Sequence, residues 1–366
     1  MKNNIFYFIR AKFIILAFLL PLITNGQQRY YDEIFTNTEV ISSVQYGSNY
    51  SIETGTPTLT NLLMDVYTPP SSDTVTLRPL IIILHTGRFL PVALNNRCTG
   101  TRTDSAVVEL CTRFAKRGYV AAAVSYRLGW NPLSLDQDTR SGTFINAVYR
   151  GIQDAKNAVR YFRNNALNEG NTYGIDQDNI ILGGQGDGGG YIALGYWALD
   201  DPNELFLDKF RSLFNTEPYI DTTQIGDYNG LQGLAPYNNI NVPNVANNVK
   251  MVFNIGGAIP DSSWIQGEER PIVSFHSTQD PFTPYSFGAL IEPTTGDFVM
   301  EISGSYDVVR KANILGTQNI WDGLPGDVYS ARANSVNNGY EGLFPFIITP
   351  DIQAEPWEWW SAGCSN

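Results

Sequence analysis

Histidine is nearly absent from this chain: its 366 residues include two, His85 and His276, beside three cysteines and four methionines. Positive charge is scarce as well, with 24 Lys and Arg against 36 Asp and Glu and a net charge of −12. Nucleic acid and anionic membrane surfaces are bound by clustered cations that neutralise phosphate, so neither is expected as a partner. The cysteines, Cys98, Cys111 and Cys364, lack metal-ligand spacing, and neither a metal nor another cofactor is expected. Beyond residue 23 no apolar run is long enough to anchor the chain in a bilayer.

What the chain does have is material for a core, 43% hydrophobic residues and 13% aromatic ones, which argues against disorder. The length suits one large α/β domain or two average ones; with no internal repeat and no linker, one domain over residues 27–366 is expected. Residues 1–26 read as a secretory signal peptide. Lys2, Arg10 and Lys12 precede the apolar run Phe13 to Ile23, and Thr24-Asn25-Gly26 places small residues before a cleavage point. The mature chain would be more acidic still and would lie in the periplasm or outside the cell. An uncleaved signal would be the one route to a membrane. Export allows a disulfide. Cys98 falls in a loop and Cys111 on the apolar side of the next helix, so a Cys98–Cys111 bridge and a buried Cys111 thiol are both open.

Buried strands alternate with amphipathic helices along most of the chain. Leu62 to Thr68 alternates and stops at Pro69-Pro70; Pro79 to His85 and Tyr119 to Tyr126 are continuous apolar runs, as strands covered on both faces require. Asp104 or Ser105 caps a helix that closes at Gly118, and Ile145, Val148, Ile152, Ala155, Val159 and Phe162 mark a long second helix. Val249 to Gly257 and Pro271 to His276 return to strand, and Phe298 to Ile302 is expected as the last strand, before a helix over 307–315. The pattern predicts a mostly parallel central sheet with helices on both faces. Residues 200–248 are polar and rich in Asn and Pro; so long an excursion reads as a cap over a site.

The organising stretch is Ile180-Ile181-Leu182-Gly183-Gly184-Gln185-Gly186-Asp187-Gly188-Gly189-Gly190-Tyr191. An apolar strand runs into a glycine cluster and resumes as a helix. Strand, sharp turn and helix with G-x-S-x-G at the turn is the nucleophile elbow, but here Gly186 occupies the serine position.

Together with Met64-Asp65-Val66-Tyr67-Thr68-Pro69, His85-Thr86-Gly87, Arg117-Gly118-Tyr119-Val120, Tyr126-Arg127-Leu128-Gly129, Gln153-Asp154-Ala155 and His276-Ser277-Thr278-Gln279-Asp280-Pro281, this stretch resembles the secreted carboxylesterase and feruloyl-esterase-like branch of the α/β-hydrolases. The resemblance runs from about Leu62 to about Leu315. It implies an α/β-hydrolase fold, a cleft over Gly186, Gln185 and Tyr191, oxyanion donors around His85, Thr86 and Gly87, and an acid at Asp280. Serine catalysis needs a hydroxyl, an imidazole to deprotonate it and a carboxylate to orient the imidazole. Gly186 removes the hydroxyl, and no histidine follows Asp280. Leu343 stands where a faint G-H-x-P-F ending would place it.

Asp187 reads as a helix cap or as an alternative nucleophile, and Arg88 either offsets its charge or is a surface cation. His85 and His276 read as structural hydrogen-bonding residues. The leading expectation is a degenerate esterase that binds a small-molecule or carbohydrate-ester ligand, or a partner, through the old cleft. Tyr191, Trp197 and the cap's Tyr219, Tyr228 and Tyr237 would line or shield that cleft. The alternative is an active ester hydrolase with a rearranged site, in which Asp187 or another nucleophile attacks and His276 or His85 serves as base. A structural or adhesive protein is the third reading.

Overall fold

The computed structural model describes residues 28–95, 98–232, 235–292, 295–324 and 326–348. The expected signal peptide and Cys364 lie outside the described residues. The strands are β1 (Glu39–Ser51), β2 (Thr58–Thr68), β3 (Arg78–Leu84), β4 (Val120–Val124), β5 (Ile175–Gln185), β6 (Met251–Ile255), β7 (Ala258–Ile259), β8 (Ile272–Ser277), β9 (Phe287–Ile291), β10 (Phe298–Gly304) and β11 (Leu343–Phe346). Eight of them form one sheet in the order β1-β2-β4-β3-β5-β6-β8-β11. The hairpin β1–β2 and its junction with β4 are antiparallel, and every pairing from β4 to β11 is parallel. This is the α/β-hydrolase fold.

The apolar runs are explained by two cores, one on each face of the sheet. Leu80, Ile82 and Leu84 of β3, with Val120, Ala122 and Val124 of β4, face helices α2 (Gln137–Asn168) and α3 (Tyr191–Ala198). Ile81 and Ile83, with Ala121 and Ala123, face α1 (Ser105–Lys116). A period of two with both faces covered leaves no position for a polar residue. Cys111 of α1 belongs to the second core, fully buried and free, and burial pushes its thiol far above the ordinary range. Cys98 is disulfide-bonded, but not to Cys111, so of the two open readings the buried thiol holds.

Two of the sequence motifs meet in one buried ion pair. The Arg127 backbone N–H and Nε donate to the Asp154 carboxylate at 2.8 to 3.0 Å, and the rest of the guanidinium reaches Gln153 Oε1 and the Tyr50 and Arg150 carbonyls. Both side chains have at most 1% exposure. This contact ties the end of β4 to α2.

One expectation is corrected. Phe298 to Ile302 is not the last strand of the main sheet: β10 lies in a separate antiparallel sheet, β7-β10-β9, and β11 closes the main sheet beside β8. Leu343 is therefore a fully buried strand residue and not part of a loop facing Asp280. Residues 200–248, which include the short helix α4 (Thr222–Ile225), spread along α2 and β1. Tyr219 donates to Asp138, the Gly226 carbonyl accepts from Tyr149, and Asn238, Asn239 and Asn241 bond to Ser48 and Asn49. The polar composition reflects side chains that satisfy their own irregular backbone and the β1 edge. Helices α5 (Ser305–Leu315) and α6 (Val328–Asn334) complete the chain.

Removing one partner of a buried pair leaves the other charge uncompensated, at a cost of about 3–5 kcal/mol. Asp154→Ala is accordingly expected to lower the stability measured by urea unfolding at neutral pH by about that amount, while Arg113→Ala, whose partners Glu109 and Glu33 lie at the surface, changes it by less than about 1 kcal/mol.

Candidate functional site

The glycines of the elbow are required by contact between backbones. A methyl group on Gly184 would collide with the Gly189 carbonyl, one on Gly189 with the Leu84 carbonyl, and one on Gly188 with the Tyr126 hydroxyl. Strand β5 and the turn into α3 thus pack backbone to backbone, with the Gly189 N–H donating to the His85 carbonyl at 2.8 Å. Between them Gly186 has φ +63°, the left-handed region. An ordinary residue held there costs about 1–2 kcal/mol, and glycine adopts it freely. The sharp turn of a nucleophile elbow is retained, without a side chain to attack.

Asp187 comes next, at φ −76°. Its carboxylate does not cap the helix. Oδ1 accepts from Thr86 Oγ1 at 3.1 Å and Oδ2 from Arg88 Nε at 2.8 Å, with the two ionic side chains only 15% and 9% exposed. Arg88, read as either a surface cation or a compensating charge, is the latter, and its guanidinium also lies over the Phe282 ring at 4.9 Å. The loop after β3 is shaped for this contact: Gly87, Arg88 and Phe89 all have positive φ, and the Arg88 carbonyl accepts from Trp130 Nε1 at 2.7 Å. Thr86 and Gly87 sit where the oxyanion donors were expected, and the Thr86 hydroxyl is committed to a carboxylate. Gln185 ends β5 and is buried.

The small sheet roofs this place. Phe282, Leu290 and Val299 enclose, with Arg88, Asp187 and Tyr191, a cavity with space for about one water. Tyr191 lines it as expected, its hydroxyl 2.8 Å from Thr283 Oγ1. Trp197, Tyr219, Tyr228 and Tyr237 do not line it. The roof over this cavity is built from Leu290, Ile291 and Val299 of β9 and β10 and from Phe282.

Both imidazoles are buried. His85 stacks on Tyr126 at 4.4 Å, and because a carbonyl can only accept, its bond to the Thr86 oxygen at 2.6 Å puts the proton on Nδ1. Burial lowers its pKa to about 4. His276 sits in a chain that sequence reading did not find. Its Nε2 lies 3.2 Å from the Thr283 carbonyl and 3.4 Å from Asp280 Oδ2, and its Nδ1 lies 2.8 Å from Ser305 Oγ. Connectivity alone gives Ser305–His276–Asp280. Yet Ser305 and His276 have no exposure, and Ser305 Oγ also lies within 3.3 Å of Asn254 Oδ1 and the Gly257 carbonyl. Asp280 Oδ1 accepts the Phe282 and Thr283 N–H groups, so the carboxylate at the acid position also builds its own turn. Ser305 and Asn254 carry no motif and lie 29 and 22 residues from His276 in sequence, so only the fold joins them.

A turn built for a nucleophile, an oxyanion-side loop and an acid position on one parallel sheet define an α/β-hydrolase of the esterase type. The BD-FAE family model matches residues 64–292, more than half of the chain, and the chain belongs to this family of α/β-hydrolase-type esterases. No curated protein matches. Among solved structures, the chain is similar to Thermogutta terrifontis esterase 2 phosphonylated by cyclosarin, at 16% identity over 84% of this chain and 93% of that one, with a TM-score of 0.43. It is also similar to the propionate-bound form of that thermophilic esterase, at 18% identity over 70% and 77% of the two chains, with a TM-score of 0.39.

His85 gives a pH signature. Its folded pKa of about 4 lies below the unfolded 6.5, so the folded state resists a proton that the unfolded state accepts. Stability is full above pH 6.5, falls by about 3 kcal/mol as the pH drops to 4, and loses nothing more to this group below that. Urea unfolding at pH 7.5 and pH 4.5 is expected to show a smaller acid loss in His85→Gln than in the unsubstituted protein.

Proposed function

We propose that the chain is an exported member of this esterase family that has lost Ser-His-Asp hydrolysis and works by binding, through the face on which Gly186 and Asp187 sit. The observation that carries this reading is Gly186 at φ +63°: the nucleophile's backbone position without a nucleophile. Three further features support it. The donors beside the turn are held by Asp187, both imidazoles are buried, and the cavity admits about one water. A ligand would therefore be held at the rim of the roof, where the exposed Ile291 stands beside Phe282. The proposed ligand class is a small molecule or a carbohydrate ester, or else a protein partner. The mature protein, residues 27–366, is proposed to act in the periplasm or outside the cell. Among the described residues no helix is long and apolar enough to cross a membrane.

The rearranged-enzyme reading rests on Asp187, whose carboxylate borders the cavity. Acyl transfer to it would require an imidazole within about 3.2 Å to activate water, and the polar contacts of His85 and His276 are to Thr86, Thr283, Asp280 and Ser305.

The test is p-nitrophenyl acetate hydrolysis by residues 27–366 and its Gly186→Ser and Asp187→Asn variants. No variant is expected to exceed the buffer rate. Gly186→Ser restores a hydroxyl without a base, which in serine hydrolases leaves rates several orders of magnitude down. Turnover abolished by Asp187→Asn would overturn the proposal in favour of an aspartate nucleophile, and turnover indifferent to both variants would overturn it in favour of another site.

A further inference from the structure

A second cavity, of about 430 Å³, opens where β6 and β8 begin, at the end of the sheet opposite the elbow. Lys156 reaches it from the inner face of α2. This lysine is 5% exposed, and among the described residues its ammonium makes no hydrogen bond and no ion pair. Its neighbours are ring faces: Nζ stands 4.0 Å from the Tyr228 centroid and 5.8 Å from that of Tyr196. Such contacts attract the charge but offer no acceptor to three N–H bonds. One helical turn on, Arg160 is 1% exposed, and its Nε and Nη1 are also without partners.

Two buried cations on one helix face, with no carboxylate in contact, are costly to fold. Burial, and then Arg160, lower the Lys156 pKa to about 7, against the pull of Asp227, Asp200 and Glu204. The other carboxylates at this cavity are at its mouth. Asp200 and Glu268 are exposed, as is Arg270, while Glu269 accepts the N–H groups of Gln266 and Gly267. The remaining wall is apolar, with Trp197, Val249 and Val252, and one side carries Asn229 and Asn247 joined at 3.0 Å. An amine lacking an acceptor beside the apolar surface of Trp197, Val249 and Val252, in a recess whose lining is about half polar, offers a small ligand one charged anchor and one apolar contact.

We propose that this cavity binds a small organic carboxylate, its oxygens accepting from Lys156 Nζ and its apolar body lying among Tyr196, Trp197 and Val249. The proposal does not depend on how Gly186 is read.

The experiment titrates residues 27–366 with benzoate by ligand-observed NMR, with benzyl alcohol as the uncharged control. Saturable benzoate binding is expected, at least tenfold tighter than benzyl alcohol, at least tenfold weaker in Lys156→Met and unchanged in Gly186→Ser. Lys156→Met replaces a lone buried charge with apolar volume and is expected to melt no lower than the unsubstituted protein. If it does not fold, Asn229→Ala decides, with a several-fold loss expected. No saturable binding, equal affinity for benzyl alcohol, unchanged affinity in the variant that folds, or sensitivity to Gly186→Ser would each overturn the proposal.

Discussion

Direct backbone contact between the end of β5, the end of β3 and the start of α3 is the constraint on which the rest depends. Gly184, Gly188 and Gly189 leave no room for a Cβ, because the opposing atoms are carbonyl oxygens and a buried hydroxyl that cannot move aside. That contact fixes where β5 stops and at what angle the helix leaves. It therefore fixes the positive φ of Gly186 and the aim of Asp187 at the loop after β3.

The elbow keeps its geometry with glycine at the nucleophile's position. In an esterase site, donors around the turn are kept open for a charge that develops during reaction. Here Thr86 and Arg88 already bond the Asp187 carboxylate, and the space above it is about one water under the β9–β10 roof. Asp280 keeps its turn and meets an imidazole, but that imidazole is His276, from inside the sheet, and the hydroxyl beyond it is sealed. A chain of serine, histidine and aspartate is thus present in connectivity, with its serine and histidine fully buried.

Much of the fold was legible because its signals are local. Continuous apolar runs such as Leu80 to Leu84 can only be strands covered twice, and the elbow glycines mark a turn whatever surrounds them. The site was legible only in part. Gly186, Asp280 and the Thr86–Gly87 loop could be placed from motif spacing, and the absence of a late histidine could be counted. The partners of Asp187 and His276 could not, because Arg88 lies 99 residues from the first and Ser305 29 from the second. Which surface residues 200–248 cover was not legible either, because composition marks an irregular segment without naming its neighbours.

The sequence by itself determined the class of fold, the two-sided sheet and the glycine at the elbow's nucleophile position, since each rests on the residue type at one position or on a short periodic pattern. Only the tertiary structure decided that Asp187 is neutralised by Arg88, that Cys111 stays free, that a small second sheet forms the roof, and that Lys156 faces a cavity without an acceptor. These depend on which distant side chains share a volume once the sheet has closed, and no local pattern encodes that.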